Sequence, residues 1–242
     1  MTTRIIPPGR TAAPSPVIVP PGQQVPGRAE RGVPLRREGP DKLTGLAKYA
    51  DDLVFPGAWF GATVRSTTAH ARLTGIELDP AFDWSDIAVV TADDIPGINV
   101  VSLISDDQPV LVPVGGEIQH REEPVCLLAS ADRDRLRAAR NHVTLRTEPL
   151  PPLYDPAASE KAFATYRIAR GDAEKAMAGA ELVIEGTYRV GHQEQLYIEN
   201  QAMIAVPGEA GGIVIHGSMQ CPYYVHRALK RALKLSSVEA RA

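Results

Sequence analysis

Prolines divide this chain of 242 residues into segments that can and cannot form regular structure. Eight of the 21 prolines lie in residues 1–36, and four more lie in residues 149–156. Because proline fixes φ and lacks an amide donor, neither stretch favours a helix or a sheet ladder. We therefore predict an extended arm over 1–36, and a linker over 149–165 that separates a domain at 37–148 from one at 166–242. The arm is either a disordered tail or a segment lying across a partner subunit.

Short β-rich runs and one amphipathic helix occupy residues 37–148, which predicts a mixed, α+β domain. A capped turn is expected over 91–97, and a helix over 132–142 whose arginines form a solvated face opposite its apolar side. That helix should be followed by a returning strand. The predicted strands are 59–65, 73–78, 87–91, a strand buried on both faces at 123–130, and 143–146.

The last third of the chain predicts a second α/β unit that is incomplete. A short helix should begin at Gly171, followed by strands over 181–190, 201–206 and 212–216 and by a helix over 222–235. After Ser236 and Ser237 no returning strand is predicted. The final helix therefore needs a covering surface for its apolar stripe, formed by Val225, Ala228, Leu229, Ala232 and Leu233.

Composition and motifs exclude several classes of function. A net charge of -3 and an aromatic content of 5% argue against nucleic-acid binding, and no dinucleotide or phosphate loop is present. The six histidines and two cysteines lack metal-binding spacing. Adjacent acid pairs such as Glu122-Glu123 are expected to be turn or surface charge. No apolar run is long enough for a signal peptide or a membrane span, so the expected compartment is the cytoplasm.

One segment, Gly217–Pro222, has the pattern of a binding site. A strand ends, a turn of small residues passes the carboxamide of Gln220, and a helix begins at Pro222, where proline is tolerated. Unpaired amides at a helix start, together with Gln220, suit an oxyanion, a phosphate or an oxo group. The alternative is that Gln220 only caps the helix. Cys221 is a second, weaker candidate, a reactive thiol for which the sequence places no base.

An ordered set of motifs resembles the molybdopterin-binding large subunit of the xanthine dehydrogenase and aldehyde oxidase family. The resemblance runs from about residue 37 to the end of the chain. It implies an α/β hammerhead domain followed by an incomplete mixed α/β molybdenum-cofactor-binding domain. The segments that carry it are Asp41–Asp52, Gly61–Ser66, Ala69–Arg72, Thr91–Gly97, Gly171–Asp172, Glu185–Tyr188, Gln193–Glu199, Ala205–Pro207 and Ser218–Pro222.

The resemblance also implies roles for individual residues. Gln220 occupies the place of a glutamine that hydrogen-bonds an oxo ligand of molybdenum, and its neighbours Met219 and Cys221 are expected to contact the cofactor. Scaffolding around the cofactor cavity is implied for Gln193, Glu194, Tyr197 and Glu199.

Two departures from the family pattern bear on these expectations. The family commonly has Gly-Gln-Pro-Val where this chain has Glu122-Glu123-Pro124-Val125. The family's glycine-rich cofactor loop and catalytic glutamate lie beyond residue 242, so no catalytic base is expected within the chain.

The function that follows from the resemblance is oxidation of an aldehyde or N-heterocycle with water as the oxygen source. Iron-sulfur clusters and FAD are expected on partner subunits, together with the remaining part of the molybdenum subunit. The alternative from another class is a non-catalytic scaffold or assembly module that keeps the hammerhead fold and binds partner chains only.

Overall fold

A computed structural model of the chain describes residues 36–101, 104–208, 212–235 and 238–241. The predicted arm over 1–36 therefore lies outside the described residues, apart from Arg36. The chain divides into two units between Leu53 and Val54. In the first unit, helix α1 covers Gly39–Thr44 and ends at Gly45, whose φ of 75° lies in the left-handed region that glycine tolerates. A 3₁₀ turn at Ala50–Asp52 follows.

The second unit contains all the strands and the remaining helices among the described residues. The strands are β1 (Phe60–Arg65), β2 (Ala71–Leu78), β3 (Ala88–Val90), β4 (Glu117–Ile118), β5 (Pro124–Ser130), β6 (Val143–Pro149), β7 (Met203–Pro207), β8 (Ile213–Gly217) and β9 (Val238–Arg241); the helices are α2 (Arg133–Arg140), α3 (Ala173–Ala178) and α4 (Pro222–Leu233).

Two antiparallel sheets, ordered β1-β5-β3 and β4-β2-β6, form the region that matches the predicted first domain. Strand β5 has a core on each side, because Cys126 and Leu128 pack in one buried cluster and Val125 packs in the other. The predicted strand buried on both faces is confirmed, except at Leu127, which is 38% exposed.

Helix α2 forms where the sequence predicts it. The Asp132 side chain caps it by accepting from the amides of Asp134 and Arg135, and Leu136 and Ala139 are buried beneath it. The arginine face of α2 is solvated. The Arg135 guanidinium also forms an ion pair with Asp86, and its hydrogen bond holds the pKa of the Asp86 carboxyl below its usual value. The predicted returning strand forms as β6, and it does not pair with β5. It pairs antiparallel with β2 in the other sheet.

The turn predicted at 91–97 is confirmed, and one of the acid pairs differs from its prediction. The Asp94 carboxylate accepts from the amide and the hydroxyl of Thr91 at 2.7 and 3.0 Å. The interpretation of Glu122-Glu123 as turn or surface charge is wrong for Glu123. That side chain is 4% exposed and accepts from the Gln119 amide at 2.6 Å, so it ties together the two ends of the loop before β5.

Three of the expectations for the last third are confirmed and two are wrong. Helices α3 and α4 and the hairpin of β7 and β8 form as predicted. The strand predicted over 181–190 is absent from those described residues, which are exposed, because no neighbouring strand lies beside them to pair with. The expectation that α4 lacks a returning strand is also wrong, since β9 pairs parallel with β8 after α4.

No helix within the described ranges combines the length and the apolar character that a membrane span requires.

Candidate functional site

The predicted segment Gly217–Pro222 joins the end of β8 to the start of α4. The structure confirms that the helix begins at Pro222, with proline in its first turn. The N-cap residue, Cys221, makes no side-chain capping bond, and the first turn holds no acidic residue. The amides of a first helical turn have no partner within the helix, so this end of α4 presents donors and partial positive charge.

Close backbone packing holds the strand side of this segment. The Ser218 amide donates to the Ala202 carbonyl at 3.1 Å. A Cβ atom on Gly217 would collide with the same carbonyl oxygen, so only glycine fits there without a shift. One residue earlier, the rings of His216 and Phe55 lie 5.2 Å apart, centroid to centroid. These contacts fix the backbone at the start of the turn.

The predicted binding residues lie together on this turn. Met219 is half-buried, whereas Gln220 and Cys221 are exposed. The exposed Gln220 side chain forms no hydrogen bond with another described residue, and the N-cap position of α4 belongs to Cys221, so Gln220 does not cap the helix. A carboxamide donor beside a helix whose first turn holds no acidic residue has the chemistry to bind an electron-rich oxygen. The donor set therefore fits the cofactor that the resemblance implies.

The stretch Gln193–Glu199 is not organised into a helix or a strand. Gln193, Glu194 and Tyr197 are exposed and Glu199 is half-buried. The stretch leads into β7, next to Ala202, whose carbonyl accepts from Ser218. The structure therefore connects these residues to the turn through the backbone, and their scaffolding role stays a prediction.

The two cysteines occupy opposite environments. Cys126 is fully buried in β5, and burial raises the pKa of its thiol to about 11, so it is unreactive at neutral pH. Cys221 is exposed on the candidate turn. Only Cys221 among them is placed to meet a ligand.

A separate groove of about 560 Å³ lies between β1, α2 and β6 and shares no residue with the turn. Its polar lining includes Arg65, Arg137 and Arg140. Arg65 already donates to the Glu122 carbonyl at 2.8 Å, and Arg137 pairs with Asp134 at 3.3 Å. Of these three arginines, only Arg137 is paired with a carboxylate of a described residue.

Sequence reasoning missed the residues that hold the far end of α4. The amides of Gly97 and Ile98 donate to the carbonyls of Ala232 and Arg231, and the Arg231 guanidinium pairs with Asp106. The sequence signal was the glycine at 97, which ends the capped turn. Its partner, more than a hundred residues away, could not be inferred from that signal.

Comparison with protein families assigns both parts of the chain. Residues 44–151 match the aldehyde oxidase and xanthine dehydrogenase a/b hammerhead domain, and residues 154–241 match the molybdopterin cofactor-binding domain. Together these matches run through most of the chain in the order that the motifs predicted.

Curated relatives carry names from the same family. A probable xanthine dehydrogenase subunit of Bacillus subtilis is 26% identical over 86% of this chain and 29% of its own length. Aldehyde oxidase 1 of Rattus norvegicus is 30% identical over 84% of this chain and 15% of its own length. The nicotinate dehydrogenase large molybdopterin subunit of Eubacterium barkeri is 25% identical over 83% of this chain and 50% of its own length. The chain thus spans half or less of each of these relatives.

Solved structures share the fold. The aldehyde oxidoreductase of Desulfovibrio gigas superposes with a TM-score of 0.71 at 23% identity, over 85% of this chain and 26% of that one. Quinoline 2-oxidoreductase of Pseudomonas putida gives 0.68 at 23% identity, over 86% and 29%. With both domain matches in the predicted order, the chain belongs to the xanthine dehydrogenase and aldehyde oxidase family and carries the hammerhead and molybdopterin cofactor-binding sequence of its large subunit.

Proposed function

We propose that this chain forms part of a molybdenum hydroxylase that oxidises an aldehyde or an N-heterocycle. The observation that carries the proposal is the succession of a hammerhead match and a cofactor-binding match, the second of which contains the turn Gly217–Pro222. For an aldehyde, the reaction adds one oxygen from water to the carbonyl carbon and releases two protons and two electrons. The molybdenum cofactor, when bound, supplies the centre that accepts those electrons.

Within this chain, Gln220 is the residue we assign to the cofactor. Its carboxamide would donate a hydrogen bond to the cofactor, and Met219 and Cys221 on the same turn would contact it. The unpaired carboxamide and the donor end of α4 support this assignment. The role proposed for these three residues is to bind and orient the cofactor, not to move protons.

The partners belong to the same proposal. Iron-sulfur and flavin groups on partner chains carry the two electrons away, and the remaining part of the molybdenum subunit completes the cavity. The named relatives include subunits of multi-subunit enzymes, which supports an assembly of this kind.

The test is replacement of Gln220 in the complex purified with its partner chains. Gln220→Ala removes a hydrogen bond to a charged or electron-rich group, which is worth about 1.5 to 3 kcal/mol. We expect kcat to fall by about one to two orders of magnitude while molybdenum content stays near that of the parent. Gln220→Glu should be worse, because an ionised carboxylate offers only acceptors to an electron-rich oxygen.

The matched control is Gln201→Ala, an exposed glutamine just before β7, which should leave kcat unchanged. Parent kinetics in Gln220→Ala with full metal loading would show that Gln220 has no role at the cofactor. A complex purified without molybdenum and pterin would instead favour the scaffold alternative.

A further inference from the structure

The hammerhead part of the chain reaches the cofactor-binding part at the C-terminal end of α4. The amides of Gly97 and Ile98 donate to the carbonyls of Ala232 and Arg231 at 2.8 and 3.0 Å. Terminal carbonyls of a helix have no partner within the helix, so these two bonds act as a C-cap supplied from a distant segment. We refer to residues 97–98 and Asp106 as the clamp.

A charged contact reinforces this cap from the same loop. The Arg231 guanidinium binds both carboxylate oxygens of Asp106, at 3.0 and 2.8 Å. A bidentate pair of this kind fixes the orientation of the guanidinium and the carboxylate as well as the distance between them. Arg231 therefore accepts a backbone hydrogen bond from Ile98 and donates side-chain hydrogen bonds to Asp106.

Sterically, the clamp tolerates only glycine at position 97. A Cβ atom there would collide with the carbonyl oxygen of Arg231 and would lie 2.6 Å from that of Ala232. These obstacles are backbone atoms, which cannot rotate away as a side chain can. Any larger residue must push the loop and the helix apart.

The loop that carries the clamp is itself tied to the buried core. The Asn99 side chain donates to the Leu111 carbonyl at 2.7 Å and accepts from the Leu111 amide at 3.0 Å. Leu111 is 1% exposed, and the neighbouring Val112 belongs to a buried cluster. The end of α4 is thus connected through Asn99 to the hammerhead core.

We propose that Gly97 and Asp106 are positioning residues, which hold α4 at its C-terminal end and thereby set the place of Gln220 at the other end. Helix α4 has 12 residues and so is about 18 Å long. A tilt of about 5° about the clamped end would move the first turn by about 1.6 Å. Displacements of about 1 Å are large for a group that must meet a reacting centre.

The role of Gln220 in this inference rests on the proposed function, but the clamp can be tested without it. In the purified complex, hydrogen exchange of the amides in α4 and in residues 217–222 reports their opening. We expect Asp106→Ala to speed exchange in both segments by about threefold to tenfold, and Gly97→Val by more. Controls are Asp107→Ala and Lys230→Gln, which alter exposed neighbours on the loop and on the helix and should leave both segments unchanged.

Exchanging the two charges distinguishes loss of the Arg231–Asp106 ion pair from general destabilisation of the fold. Asp106→Arg and Arg231→Asp should each loosen α4, and the double variant should restore slow exchange. In turnover, Asp106→Ala should lower kcat by about threefold to tenfold with KM and molybdenum content unchanged.

Unchanged exchange at residues 217–222 in the Asp106→Ala and Gly97→Val variants would overturn the inference, as would a double variant that is not rescued. If Gln220→Ala turns over like the parent while Asp106→Ala still loosens both segments, the assignment of Gln220 to the cofactor fails and the structural clamp stands. A complex without molybdenum and pterin would remove the proposed function and leave the exchange test of the clamp unaffected.

Discussion

Residues 54–150 and residues 151–202 have similar kinds of side chains and very different surroundings. The first region has two sheets, one helix and two buried clusters. At the boundary between the two regions, the His70 ring nitrogen Nδ1 lies 2.7 Å from the Pro151 carbonyl oxygen. The second region is exposed almost throughout, with only a short 3₁₀ turn and helix α3 as regular elements. Its large exposed apolar residues include Phe163, Tyr166, Ile168, Leu182, Ile184, Tyr188, Val190, Leu196 and Ile198.

The difference shows that apolar sequence alone does not make a core. In the first region each apolar strand has a neighbouring strand or a helix to cover it. In the second region the apolar side chains have no such cover within the described chain, and exposed apolar surface of this extent marks a contact with something else.

Limited proteolysis should give the largest contrast between the two regions. We expect trypsin, within the described residues, to cut first at Lys161, Arg167 or Arg170, because these exposed residues have no sheet pairing to open. Cleavage at Arg72 or Arg146, which lie in paired strands, should be at least about a hundredfold slower.

This experiment also tests the proposed linker at 149–165, since it should leave a protected fragment that ends close to those residues. A single protected core running through residue 155 in the isolated chain would contradict both expectations. If residues 151–202 are protected only in the assembled complex, then partner chains cover their apolar side chains.

Leucine truncation should give the next largest contrast. Leu73 is fully buried, so Leu73→Ala should lower the free energy of unfolding by about 3 kcal/mol through lost packing and a cavity. Leu182 is 76% exposed, and Leu182→Ala should change it by less than about 0.5 kcal/mol. Both tryptophans, Trp59 and Trp84, lie in the first region, so their fluorescence during urea unfolding reports its stability. Equal losses in the two variants would contradict the contrast, because they would show that Leu182 contributes to the stability of the first region.

The smallest expected effect concerns strain at Glu122. This residue has a φ of 69°, in the left-handed region, at the position where the family commonly has glycine. We expect Glu122→Gly to raise the free energy of unfolding by about 1 kcal/mol, since glycine relieves the clash of Cβ with the backbone. Glu122→Ala keeps Cβ and serves as the control, with a change within about 0.5 kcal/mol. A destabilised glycine variant in the same urea unfolding assay would refute the strain.

Local signals identified the elements that depend on neighbours in sequence. Helix α2 follows from the Asp132 cap and the apolar positions at Leu136 and Ala139, and α4 from Pro222 and its apolar stripe. Strands β1, β2 and β5 could be predicted because their β-rich runs are long. The candidate turn could be identified because Gly217, Gln220 and Pro222 stand within six residues of one another.

Other features depended on partners that are distant in sequence. Residues 181–190 have the composition of a strand but lack a strand to pair with, whereas β9 forms because it lies beside β8. The burial of Glu123 depends on the Gln119 amide, and the role of Gly97 depends on the end of α4.

Local sequence patterns were enough to locate α2, α3 and α4, to mark the apolar runs and, through the motifs, to indicate the family. Helix α1, the pairing of the strands, the sheet that β6 joins and the loop that caps α4 emerged only with the fold. Capping bonds and helical periodicity act within a few residues, whereas sheet pairing and the clamp join atoms whose separation along the chain leaves no local signal.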